Sequence, residues 1–182
     1  MSETTHLPAV ETYRFADDGI VPNNALPLVV YRGALPETGD RAAACEAMFD
    51  AHGWPDAWRN GIYAHHHYHS TAHEVLGIAR GHARVRLGGE HGQSVELHAG
   101  DVVVIPAGVA HKREAASGDL LVIGSYPRGQ YPDICRAEAG RHDRAVASVA
   151  DVPLPAADPV TGEAEPLLAC WRRQSDQRQR PV

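Results

Sequence analysis

From Gly61 to about Pro127 the chain alternates short runs rich in valine, isoleucine and leucine with glycine-bearing breaks. The runs are EVLGIAR, ARVRL, SVEL, DVVVIP and LLVIGSY, and the breaks at Gly88–Gly89, AGD and SGD recur at hairpin-like spacing. Strands this short and this evenly spaced predict an all-β barrel or sandwich. Upstream, LVVYRG (Leu28 to Gly33) reads as an edge strand ended by glycine. Residues 1 to 27 are punctuated by proline and asparagine, and PNNALP reads as a turn or loop. DRAAACEAMFDAHG, from Asp40 to Gly53, predicts a helix: Asp40 can cap it, the alanines favour it and Gly53 can stop it. Ala44, Met48 and Phe49 form its apolar stripe, which is expected to pack on the main body.

After Pro132 the pattern weakens. DICRAEAGRHDRAVASVADV reads as a short helix or loop, VPLPAADPVTGEAEP as irregular, and LLACW as a last strand. No internal repeat is present, so one barrel is expected and not two. The organisation that follows is an extension over 1–60 with an edge strand and one helix, a β core over 61–127, and a second extension over 128–182 packing on the barrel.

Composition narrows the class of protein. With 182 residues, 43% hydrophobic and 22% charged, the chain can bury a substantial core and is not a disordered sequence. Aromatics are only 6%, so the core should be aliphatic. A net charge of −6 disfavours nucleic acid or an anionic membrane as partner, and no basic block argues otherwise. The longest apolar run, VVVIPAGVA, is too short to span a bilayer, and the N-terminus lacks the basic-then-apolar pattern of a signal peptide. Cys45, Cys135 and Cys170 are odd in number and widely separated, which fits a reducing, cytoplasmic setting better than a disulfide framework.

The chemistry concentrates in GIYAHHHYHSTAHEVLGIARG, which holds five of the chain's 12 histidines in nine positions. In a strand, side chains alternate faces, so His65, His67 and His69 would point one way, with Tyr63, while His66 and Tyr68 point the other. Histidines at i and i+2 form a natural two-armed grip on a metal. Glu74, opening the next strand, can bring a carboxylate to the same place, and PAGVAHK supplies His111 after another strand. Neutral imidazoles with a carboxylate suit one first-row divalent ion per chain: Fe, Mn, Ni, Co, Cu or Zn. The bland alternative is a polar cluster satisfied by its own hydrogen bonds. His65 is a supporting candidate, second in line to the ligands or facing substrate; His66 meets an interface or solvent; His73 orients Glu74 or caps the strand. Tyr63 is core or substrate-facing. Arg84 and Arg86 clamp an anionic substrate or, the favoured reading, line the outer surface. Trp54 and Trp58 roof the barrel mouth or pack the helix on the barrel.

The spacing G-x5-H-x-H-x4-E-x6-G is met by Gly61, His67, His69, Glu74 and Gly81, and G-x5-P-x-G-x2-H by Gly100, Pro106, Gly108 and His111. In order and offset these resemble the two motifs of the cupin superfamily, and DDGIVPNNALPLVVYRGAL, HYHSTAHEVLGIARG and DPVTGEAEPLL resemble its YjlB-type small bacterial members. The second motif departs from the pattern at Ala115, where an asparagine is common. The resemblance implies a jelly-roll β-sandwich closed into a small barrel, with His67, His69, Glu74 and His111 as metal ligands. It also implies a small-molecule partner and a homodimer that covers open sheet edges. Gly81 and Gly100 suit turns needing positive φ, and Pro106-Ala-Gly108 a turn presenting His111. Two functions fit. One is a metal-dependent enzyme of dioxygenase or isomerase/lyase type, in which no residue stands out as base although His65 or Glu74 could serve. The other is a non-catalytic module that holds metal and a small ligand for sensing or storage. A metal-independent sugar-nucleotide epimerase fits less well, since it needs no three-histidine grip. The absence of a helix-turn-helix or basic segment argues against direct transcription control.

Overall fold

The computed structural model describes residues 8–37 and 39–178. In chain order its elements are β1 (Ala9–Phe15), β2 (Asn24–Arg32), α1 (Arg41–Ala51), β3 (Trp58–Asn60), β4 (His67–Tyr68), β5 (Glu74–Arg80), β6 (His82–Leu87) and β7 (Gln93–His98). There follow β8 (Val102–Ile105), β9 (His111–Ala116), β10 (Leu121–Ser125), β11 (Cys135–Arg136), α2 (His142–Asp151) and α3 (Leu167–Arg178). The strands form two antiparallel sheets, ordered β1-β2-β8-β5-β10-β3 and β11-β4-β9-β6-β7. This is the expected all-β sandwich. Its sheets reach beyond residues 61–127, because β1, β2 and β3 come from before Gly61 and β11 from after Pro127.

Two apolar layers hold it together. Between the sheets, Leu28, Val30, Leu76, Ile78 and Val103 meet Val85, Leu87, Val95 and Leu97. On the outer face of the larger sheet, Val29, Tyr31, Val102 and Val104 meet Phe49 and Cys45 of α1, Trp54, and Leu167 and Trp171 of α3. β2 and β8 are therefore buried on both faces, which is why LVVY and VVVI read as unbroken apolar runs without alternation. Gly77 lets α1 approach β5 closely: a Cβ there would collide with Cys45 Sγ.

The predicted helix forms as α1, with the Asp40 carboxylate accepting from the Ala43 N–H at 3.0 Å. Its buried line runs through Ala42, Cys45 and Phe49, rotated from the expected Ala44–Met48–Phe49 stripe, whose first two members are only half-buried. Trp54 packs this helix on the barrel and donates from Nε1 to the Ala157 carbonyl at 3.0 Å.

Three expectations change. LVVYRG, read as an edge strand, belongs to β2, which lies inside its sheet between β1 and β8. The segment read as loop contains β1 and the start of β2, joined by a turn in which Asn23 takes φ 49° and donates to the carbonyls of Ala16 and Gly88. LLACW is helical, because Leu167 and Trp171 at i and i+4 lie on one helix face and together cover β2. The weakly patterned stretch before it forms β11 and α2. The proline-rich segment is irregular as expected. Buried Asp158 organises it, accepting from the Tyr31 hydroxyl and from the N–H groups of Val160, Thr161 and Leu167. Arg84 and Arg86 lie outside and meet Glu114. Among the described residues no helix is long and apolar enough to cross a membrane.

Candidate metal centre

The site forms where the two sheets meet at one end of the sandwich. His67 of β4 is the cross-strand partner of His111, the first residue of β9. Glu74, the first residue of β5, comes from the opposite sheet, where it pairs with Ile105. The Pro106–Gly108 turn joins them: Val109 N–H closes it on the Pro106 carbonyl at 3.1 Å, and Gly108 N–H donates to the His69 carbonyl at 2.8 Å. Gly108 takes φ +88°, and a Cβ there would strike the Asn23 carbonyl oxygen at 2.5 Å. Gly81 and Gly100 have positive φ as expected.

One ligand atom from each of His67, His69 and His111 lies within 4.8 Å of the others, and all three residues are buried. Glu74 Oε2 stands 3.1 Å from His111 Nε2 and 3.4 Å from His69 Nε2. Each imidazole turns its other nitrogen to a backbone carbonyl: His67 Nδ1 to His65 at 3.5 Å, His111 Nδ1 to Val109 at 3.3 Å, and His69 Nδ1 to Asp133 in a short contact. A carbonyl only accepts, so each Nδ1 carries the hydrogen and each neutral ring presents a bare Nε2 lone pair inward. Glu74 Oε2 and His69 Nε2 are accordingly buried without a hydrogen-bond partner, acceptor facing acceptor.

Such an arrangement calls for a cation, either a proton or a metal ion. Burial disfavours a charged His69, but the charge of Glu74, the hydrogen bond that a protonated Nε2 would donate to it and the one to the Asp133 carbonyl outweigh burial and push its pKa up to about 8. Burial would raise Glu74, yet His69 and His111 hold its carboxyl well below the usual carboxylate range. Burial, helped by His111, pushes His67 down to about 3, so it stays neutral. Three neutral nitrogens and one ionised oxygen, with their far sides fixed by carbonyls, fit a first-row divalent ion.

A cavity of about 670 Å³ opens from this cluster, walled by Trp58, Ile62, Leu76 and Leu120 and by the polar side chains of Tyr63, Arg113 and Tyr126. The Tyr126 hydroxyl donates to Glu74 Oε1 at 3.0 Å.

A profile of the cupin domain matches residues 59–123. Over 162 residues, 88% of this chain and 96% of the relative, the sequence is 43% identical to uncharacterized protein YjlB of Bacillus subtilis. The chain belongs to the cupin superfamily, among its small bacterial members. Similar solved structures include acireductone dioxygenase from Bacillus anthracis with a cadmium ion in its active centre, at 19% identity. That match covers 58% of this cupin and 82% of the other chain, with a TM-score of 0.41. A conserved protein with a double-stranded β-helix domain from Klebsiella pneumoniae is 14% identical. It covers 76% of this chain and 85% of its own, with a TM-score of 0.37.

In this cupin the remaining sequence candidates separate. β4 spans only two residues, so strand alternation does not extend back to His65. His65 is half-buried, its ring stacked on Tyr63 at 5.1 Å and edge-on to His67 at 6.0 Å, and its carbonyl faces His67 Nδ1. Tyr63 is 49% exposed at the cavity rim and sets its ring edge-on to His67 at 4.9 Å, so it is not core. His66 reaches outward to Glu90 at 2.9 Å. His73 neither orients Glu74 nor enters the cavity: it packs on Trp171 at 4.7 Å, and its Nδ1 accepts from Ala107 N–H at 2.9 Å. Trp58 lines the cavity and Trp54 does not.

Three residues at the site went unread in sequence. Tyr126 closes LLVIGSY and binds Glu74. Asp133 lies 64 positions from His69, and no local pattern signals their contact. Arg113 sits two residues after His111, where strand alternation alone places it on the same face.

Proposed function

We propose that this cupin is a metal-dependent enzyme holding one divalent transition ion on His67, His69, Glu74 and His111. Its substrate is a small organic molecule in the adjoining cavity, transformed by dioxygenase or isomerase/lyase chemistry. The supporting observation is the buried, partnerless pair of His69 Nε2 and Glu74 Oε2, two acceptors aimed at one point. A bound divalent ion supplies Lewis-acid polarisation of a substrate oxygen and, where it is redox-active, electron transfer.

The protein's own groups set the stage for that chemistry. Carbonyls of His65, Asp133 and Val109 lock the three rings with Nε2 inward. The Tyr126 hydroxyl fixes one oxygen of Glu74 and leaves the other facing the histidines. Trp58, Ile62, Leu76 and Leu120 exclude water from the cavity wall beside them. The reading extends to a homodimer, because β1 is an open sheet edge; a dimeric mass by light scattering is expected, and a monomeric one argues against it.

One observation favours the second reading, a non-catalytic module for sensing or storage. Among the described residues lining the cavity, Glu74 is the sole carboxylate and the three site histidines are the sole imidazoles, leaving no free general base. Oxygen-uptake assays of iron-loaded protein with small acids and diketones, alongside carbon-bound proton exchange in zinc-, nickel- and manganese-loaded protein, separate the two. The enzyme reading expects turnover in one arm, abolished in His67→Ala. Ligand binding without turnover in any arm favours the module.

A further inference from the structure

We propose that Arg113 is the anion-recognising residue of the cavity and that the small molecule bound there carries a carboxylate. This rests on the reading of the cavity as the small-molecule site beside the metal centre.

Along β9 the side chains divide cleanly. Lys112 and Glu114 lean outward, Lys112 to Glu90 at 3.5 Å and Glu114 to Arg84 at 3.2 Å and the Ser94 hydroxyl at 2.7 Å. His111 and Arg113 line the cavity. The backbone N–H of Arg113 donates to the Tyr63 carbonyl at 2.8 Å, but its side-chain Nε is buried with no hydrogen-bond partner. Among the described residues no carboxylate lies within ion-pair distance of its guanidinium. The other guanidinium of the wall is already committed: Arg59 forks onto both oxygens of Glu46 at 2.6 and 2.8 Å. Glu74 cannot neutralise Arg113 either, being turned to His69, His111 and Tyr126.

A guanidinium with a buried, unpaired donor is costly in a folded protein unless a ligand completes it. Its planar fork matches a carboxylate through two parallel hydrogen bonds. A single free guanidinium suits a singly charged anion. The apolar wall of Trp58, Ile62, Leu76 and Leu120 suits a short hydrocarbon body behind that charge. Two strand positions separate Arg113 from His111, a rise of roughly 6 to 7 Å, so the carboxylate is held about one small-molecule length from the histidine cluster. Arg113 thus sets specificity and orientation, presenting the far end of the ligand to His67, His69 and His111.

The test is calorimetric titration of metal-loaded protein with hydrocinnamate, with its uncharged amide, and with a series of straight-chain acids from acetate to hexanoate. Metal content is measured in the same samples. Hydrocinnamate should bind saturably, and its amide should bind about tenfold or more weakly. Arg113→Gln should lose about the same factor for the acid while leaving the amide unchanged, and Arg113→Lys should recover part of it. The acid–amide comparison needs no variant, so a misfolded Arg113→Gln leaves the question answerable. Equal binding of acid and amide, a preference that survives in Arg113→Gln, or no saturable binding by any acid overturns the proposal. If metal content stays at full occupancy in those outcomes, the metal centre stands without it; metal-free wild-type protein would instead remove the reading beneath it.

Discussion

His69 and His73 are both buried, four residues apart, and the fold gives them opposite chemistry. At the open end of the sandwich, His69 Nδ1 faces a carbonyl, so its hydrogen points outward and its Nε2 lone pair points at Glu74. On the flank covered by α3, His73 Nδ1 accepts from a backbone N–H, which places the hydrogen on Nε2 and leaves no free lone pair. The partner of the far nitrogen decides whether a buried histidine is a ligand or a core residue. Their proton affinities diverge accordingly: the surroundings of His69 push it up to about 8, and burial pushes His73 down to about 4.

Four perturbations test this contrast, each touching one region and sparing the other. Trp171→Ala removes the ring packed on His73 and the donor to the Pro27 carbonyl, and should cost about 3–5 kcal/mol in denaturant unfolding. Metal content should be unchanged; its loss would mean that the two regions form one unit.

Acid should act on His73 next. Its folded pKa lies below its ordinary value of 6.5, so the unfolded chain takes up the proton first. The contribution is fully present above pH 6.5 and fades as pH falls toward about 4, by up to roughly 3 kcal/mol. Unfolding curves of wild type and His73→Gln should diverge by that slope. Parallel curves over this range would contradict the assignment.

Asp133→Ala frees the loop that presents the carbonyl to His69, because the Asp133 carboxylate accepts from Ser70 N–H and Oγ, both at 2.6 Å. Metal affinity in competition with a chelator should fall about tenfold to a hundredfold, whereas His73→Gln should leave it unaltered. The smallest effect belongs to Tyr126→Phe, which removes one hydrogen bond to Glu74 and should weaken metal binding by about 1 kcal/mol. An unchanged affinity there would show that Glu74 needs no support from the cavity wall.

Sequence pattern anticipated the centre better than its surroundings. β5, β6, β7, β8 and β10 were legible because glycine-bearing turns punctuate them and their apolar residues face buried layers, whereas HKREAA of β9 has too little apolar contrast to read as a strand. β1 was hidden because it is a half-exposed edge with little apolar contrast, and α3 because a five-residue apolar run suits a strand or one helical turn equally. The motif spacing brought His67, His69, Glu74 and His111 together, while His65 supports His67 from behind through its carbonyl and ring edge, on a stretch that precedes the two-residue strand β4. Asp133 and Tyr126 act through contacts spanning 64 and 52 positions, which no local periodicity encodes.

The central claim is that the facing lone pairs of His67, His69 and His111, with Glu74, hold one divalent ion. Elemental analysis of wild-type protein and of His67→Ala combined with His69→Ala, after exposure to iron, manganese, nickel, cobalt, copper and zinc, tests it most directly. The account predicts about one ion per chain in wild type, none in the double variant, and a native circular dichroism spectrum in both, since the two apolar layers, aliphatic between the sheets and rich in aromatics outside them, carry the fold. Wild-type protein that stays essentially metal-free after reconstitution with all six would contradict it.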